Sequence, residues 1–71
     1  MQNKYIGWLV IERREGYPDK IYAEYLDESG ARPRVFFQST TEAIEWWDKR
    51  AHGEVVLEST PLGVYRVCRR E

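Results

Sequence analysis

Side chains able to do chemistry are sparse in this sequence. His52 is the only histidine, and it stands beside Gly53 at the end of a helical pattern. An imidazolium there favours the negative end of the helix dipole, and that is the role its position predicts. Cys68 is the only cysteine. It alternates with Arg66 and Arg70, and neighbouring cations can lower a thiol pKa enough to make it reactive. A buried structural thiol is the plainer expectation. No Cys/His spacing suits zinc, the glycines form no phosphate loop, and no serine sits in a nucleophile elbow. Carboxylates are plentiful but scattered over turns and strand faces, so their spacing defines no acid–base pair. The sequence therefore reads as a non-enzyme, with no catalytic residue, no cofactor and no metal.

Composition narrows the classes further. With 71 residues the chain is one small α+β domain, 1–71, without room for a large enclosed substrate cavity. Eleven Lys and Arg against twelve Asp and Glu leave a net charge of -1. That balance disfavours both a strongly basic nucleic-acid binder and an acidic nucleic-acid mimic. No stretch approaches the roughly 18 apolar residues of a membrane span, so no membrane partner is expected. Met1-Gln2-Asn3-Lys4 lacks the hydrophobic region of a signal peptide. A single cysteine excludes an internal disulfide and points to a reducing, cytoplasmic setting. Three Trp, five Tyr and two Phe make the chain 14% aromatic, more than a small core obviously needs.

The elements that position these residues follow from patterning. Tyr5–Arg14 is rich in β-branched and aromatic residues and predicts a long first strand. Glu15–Asp19 predicts a turn, Lys20–Asp27 a second strand, Glu28–Pro33 a turn and Arg34–Gln38 a third strand. Connections this short make the three strands an antiparallel meander. Ser39-Thr40-Thr41-Glu42 fits a capping box, with Ser39 accepting from the Glu42 N–H and the Glu42 carboxylate reaching back to the Ser39 N–H. Gly53 suits the left-handed closing residue, so the helix runs from about Thr40 to about Ala51. Its apolar stripe is Thr40, Ala43, Ile44, Trp47 and Ala51. Glu54–Ser59 and Val64–Arg69, joined by a turn at Thr60–Gly63, complete a β-β-β-α-β-β order with an antiparallel sheet and one helix packed on one face.

One helix can cover only one side of that sheet. Alternation sends Tyr5, Gly7, Leu9 and Ile11 one way and Ile6, Trp8, Val10 and Glu12 the other. The uncovered side is expected to hold Trp8, Val10, Glu12, Tyr22, Glu24, Leu26 and Phe36, too apolar for plain solvent exposure. Three arrangements would account for it: the C-terminal hairpin folds over it, a homodimer closes it, or another macromolecule docks on it. Trp46 lies off the helix stripe next to Trp47. It either packs at the helix margin over the loops or serves as a contact anchor. Arg13, Arg14, Arg32, Arg34, Arg66, Arg69 and Arg70 would make a nucleic-acid surface if they gathered at one end of the sheet beside Trp8 and Tyr22. With near-neutral charge, solvated strand ends are the stronger expectation. The candidate binding residues are Trp8, Tyr22, Leu26, Trp46 and Arg14.

The segment Phe37-Gln38-Ser39-Thr40-Thr41-Glu42-Ala43-Ile44-Glu45-Trp46-Trp47 resembles small phage-encoded anti-CRISPR inhibitors of the type I-F class. Chain length, the preceding meander and the basic end Cys68-Arg69-Arg70-Glu71 suit that comparison. Thr40-Thr41-Glu42-Ala43 with Trp47 also looks similar to the arm-type DNA-binding domains of phage integrases. The extra C-terminal hairpin and the absence of net positive charge depart from the second family. The first resemblance implies occlusion of a CRISPR surveillance complex by protein–protein contact. The expected partner is accordingly a protein, with a homodimer as a further possibility and nucleic acid ranked behind both.

Overall fold

A computed structural model describes residues 3–70; Met1, Gln2 and Glu71, which entered the reading of the two ends, lie outside the described residues. The elements are β1 (Asn3–Arg14), β2 (Tyr17–Tyr25), β3 (Arg34–Phe37), α1 (Thr40–Ala51), β4 (Val55–Ser59) and β5 (Val64–Arg70). The strands form one antiparallel sheet in the order β3-β2-β1-β5-β4. The architecture is α+β, as the patterning predicts. The longest strand, β1, is central, paired along both edges and covered by α1 on one face. Strands β3 and β4 lie at opposite edges, so α1 must cross one face of the sheet to join them.

Local chemistry explains the joints. The β1–β2 turn is only Glu15-Gly16, with Arg14 opposite Tyr17. Gly16 has φ 78, the left-handed region that tight hairpins require. The expected five-residue turn is therefore shorter, because Tyr17, Pro18 and Asp19 belong to the strand. A register shift between Glu12 and Arg14 gives β2 an extra residue there, and a proline without an N–H is tolerated at such a bulge. At the start of α1, Ser39 Oγ accepts from the Glu42 N–H at 3.1 Å. The Glu42 carboxylate reaches past Ser39 and accepts from the Gln38 N–H at 3.2 Å. The helix closes on His52, at φ 53, not on Gly53 as the sequence suggests. Gly53 is needed for space instead. A Cβ there would lie 3.0 Å from the Arg69 side chain, which crosses it to donate to the Ala51 carbonyl at 3.2 Å.

The core lies between α1 and the sheet. Leu9, Ile21, Ala23 and Val67 meet Ala43 and Trp47, with Ile6, Ile11, Tyr25, Phe37, Trp46, Val55 and Tyr65 packed around them. Two expectations change. Ile44 is at the exposed margin, and the buried side of α1 is turned toward Trp46, whose ring lies 5.5 Å from Tyr25 and 5.8 Å from Phe37. A flat indole covers more sheet than the branched Ile44. In β1, a bulge interrupts simple alternation: Tyr5 pairs Cys68 while Gly7 pairs Val67, leaving Ile6 as the extra residue. Ile6 consequently turns to the helix side, and Tyr5 joins Trp8 on the other.

Candidate functional site

The face of the sheet opposite α1 has no second layer. The C-terminal hairpin lies in the sheet as β5 and β4 and does not fold over this face. Register places its residues in rows across the strands. One row runs Arg34, Glu24, Trp8, Arg66, Glu58 through all five strands. The next runs Phe36, Tyr22, Val10, Val64. On the other side of the Trp8 row, Tyr5 faces Cys68, which faces Val56.

Trp8 is half-buried, with the Tyr5 ring edge-on at 5.6 Å. Two ion pairs flank it: Arg34 to Glu24 at 3.4 Å and Arg66 to Glu58 at 4.0 Å. Both are partly solvated, and such pairs contribute little to stability on their own. Long polar chains also lie over the aromatic rings. Arg66 covers Tyr5 at 4.9 Å, while Arg34 and Lys20 approach Tyr22 at 4.9 and 6.0 Å. With Phe36 at 5.3 Å as well, Tyr22 is only 8% exposed. Tyr22 thus lies on the predicted face but is enclosed by its own neighbours. Phe36, 56% exposed, is the outward aromatic of that row. Its pairing opposite Tyr22 is the signal for this role, and it is legible only once the β2–β3 register is fixed.

Cys68 is buried on this face, and its thiol donates to a Glu58 carboxylate oxygen at 3.2 Å. Burial above all, and then the adjacent Glu58, push its pKa up, overriding the nearby Arg66. The thiol is held protonated, the opposite of an activated nucleophile. Arg70, the other expected activating cation, pairs with Glu54 at 3.2 Å.

The remaining candidates fall elsewhere. Leu26 follows the end of β2, outside the paired rows of the open face, and lines a cleft of about 330 Å³ with Lys4, Tyr5, Ile6, Trp47 and Arg50. Trp46 is on the helix side, and with Lys49, Arg50 and His52 it lines a shallow depression of about 500 Å³. Arg50 lies 3.8 Å over the Tyr25 ring beside it. Arg14 is at the β1–β2 turn, 5.6 Å over Tyr17 and donating to the Pro18 carbonyl at 3.2 Å. The arginines do not all gather: Arg34 and Arg66 lie in the Trp8 row, over Tyr22 and Tyr5. Arg13 and Arg14 end β1, whereas Arg69 and Arg70 pair with Lys4 and Asn3 at its start. Among the described residues, no three His, Cys, Asp or Glu side chains come together as a metal ion would need. No helix among the described residues is long and apolar enough to cross a membrane. No protein-family model matches this chain, and no curated protein or solved structure does so either.

Proposed function

We propose that this protein is a non-catalytic binding module that engages another protein through the open face of its sheet, centred on Trp8. The observation that carries the reading is the five-strand face itself. It combines Trp8, Phe36, Val10 and Val64 with paired Arg and Glu side chains, and no element of the fold covers it. Aromatic and Arg anchors among polar neighbours are what protein interfaces use. Nucleic acid fits less well, because Arg34, Arg66 and Arg70 are each paired with a Glu and the chain carries no net positive charge. The non-catalytic reading rests on a protonated, enclosed thiol and on carboxylates engaged with arginines. A cytoplasmic setting belongs to the same proposal, since Cys68 leaves no internal disulfide to form. The resemblance of Phe37–Trp47 to anti-CRISPR inhibitors makes a CRISPR surveillance complex the first foreign partner to try.

The test is capture by the immobilised chain, with and without nuclease and across a salt series, comparing the parent with Trp8→Ala. The expected result is a defined protein that survives nuclease and moderate salt and is lost with Trp8→Ala. Recovery of nucleic acid alone, with affinity collapsing as salt rises, would contradict the reading. Equal capture by parent and variant would contradict the placement of the surface.

A further inference from the structure

We infer that the protein engaging the open face is a second copy of this chain, packed sheet to sheet about a two-fold axis that runs along β1. The inference rests on the reading of that face as a protein interface and names its occupant. Its basis is the order of charges in the row Arg34, Glu24, Trp8, Arg66, Glu58. From the central Trp8 outward, one side reads negative then positive and the other reads positive then negative. The pattern is antisymmetric about Trp8.

A two-fold axis between facing sheets, parallel to β1, carries each strand to the opposite side of β1. Strand β2 then faces the partner's β5, and β3 faces the partner's β4. Along the row, Glu24 meets the partner's Arg66, Arg34 meets the partner's Glu58, and Trp8 meets the partner's Trp8. Every charge of this row faces its opposite; farther along β1, Glu12 meets the partner's Glu12, with Lys20 beside each in the register. An axis running across the strands through the same row would set each charge on its own like, which is strongly disfavoured. The charge order therefore selects one symmetry. The neighbouring row is compatible: Val10 meets the partner's Val10, and Tyr22 the partner's Val64. Phe36 lands at the partner's turn Thr60–Gly63, whose Leu62 is 87% exposed. Aligned sheets pack about 10 Å apart at about 30°, a gap that Arg and Glu side chains can bridge.

The chain exposes 5373 Å², whereas a folded monomer of 8.5 kDa exposes about 4,700 Å². The excess, roughly 700 Å², is surface spread over the whole chain, and the open face is one contributor to it.

Charge reversal tests both the occupant and the register. Glu24→Arg and Arg66→Glu are each made alone, and the purified proteins are examined by sedimentation velocity separately and mixed. In either variant homodimer the two symmetry-related contacts set like charges together. In the mixed dimer both contacts are opposite in sign. The expected result is a dimeric parent, dissociation constants raised at least about tenfold in each variant, and recovery to near the parent value on mixing. Recovery on mixing also shows that the variants fold. A parent that stays monomeric from micromolar to millimolar concentration would overturn the second copy as occupant. Trp8-dependent capture of a different protein would still stand in that case, so the two readings fail separately. A dimer indifferent to both reversals, or variants not restored by mixing, would overturn the proposed symmetry.

Discussion

Gly7 shows how tightly single positions are set. It lies in the central strand beneath the Trp47 indole, and a Cβ there would come within 2.5 Å of Trp47 Cη2 and 2.6 Å of the Glu24 carbonyl oxygen. The second contact is backbone and cannot swing aside. Gly7→Ala should cost about 3 kcal/mol by overpacking, read as a lowered urea midpoint. An unchanged midpoint would mean that the indole does not rest on β1. The converse substitution, Trp47→Ala, empties the largest fully buried side chain and should cost on the order of 3–5 kcal/mol, enough to threaten so small a domain. Melting within a few degrees of the parent would contradict the assigned core. Cys68 tests the non-catalytic reading. Its pKa is raised in the folded state, so its contribution to stability is present below the ordinary thiol pKa and is lost as pH rises through the folded value. Disulfide-exchange labelling at mildly alkaline pH should be far slower for native than for urea-unfolded protein. Equal rates would mean an accessible, ionised thiol.

At the scale of elements, the helix was the most legible part of the sequence. The Ser39 cap marks its start, while its end at Ala51 is closed by His52 and not by the expected Gly53; Ser39→Ala should cost about 1 kcal/mol in a thermal or urea melt. No loss would mean that the Glu42 contact to Gln38 holds the first turn unaided. The meander was equally readable, because short connections leave only antiparallel pairing. The bulges were not. Strict alternation through Tyr5, Ile6 and Gly7 assigns Tyr5 to the wrong face, since an inserted residue changes no composition that alternation detects. Gly7 inside an apolar strand was the available signal, as such glycines mark bulges and close approaches. Pro18 likewise reads as a turn residue until the bulge that accommodates it is seen. The helix face was misjudged by one step because hydropathy weights Ile44 above Trp46, whereas sheet coverage favours the larger ring. The loop after β2 is fixed by Asp27, whose carboxylate accepts from the Ser29 N–H at 2.9 Å, the Ser29 hydroxyl at 2.6 Å and the Ala31 N–H at 3.1 Å. The hydrogen bonds, the Ser29 hydroxyl first, lower its pKa. Its stabilisation is therefore present above the ordinary Asp value and is lost as pH falls below about 4. The melting difference between parent and Asp27→Ala should shrink over that acid range. A difference constant with pH would show that the carboxylate is not what holds the loop.

The whole molecule is a sheet with one side occupied by its helix and the other by nothing in the fold. The apolar character of that second side was legible from Trp8, Val10 and Phe36. Which element would cover it was not, because whether β4 and β5 lie in the sheet or over it is decided by strand order, and sequence patterning does not carry strand order. Once β5 is seen beside β1, the two halves of the Trp8 row acquire opposite charge order, which is the basis of the proposed pairing of two copies. The central claim is that this face is a protein interface closed by a second copy. Sedimentation velocity over a wide concentration range tests it most directly, on the parent and on Trp8→Ala, with circular dichroism to confirm that both are folded. The account predicts that the parent sediments at twice the chain mass and dissociates on dilution, while folded Trp8→Ala sediments at the single-chain mass. A parent that keeps the single-chain mass at every concentration, or a dimer unaffected by removing Trp8, would contradict it.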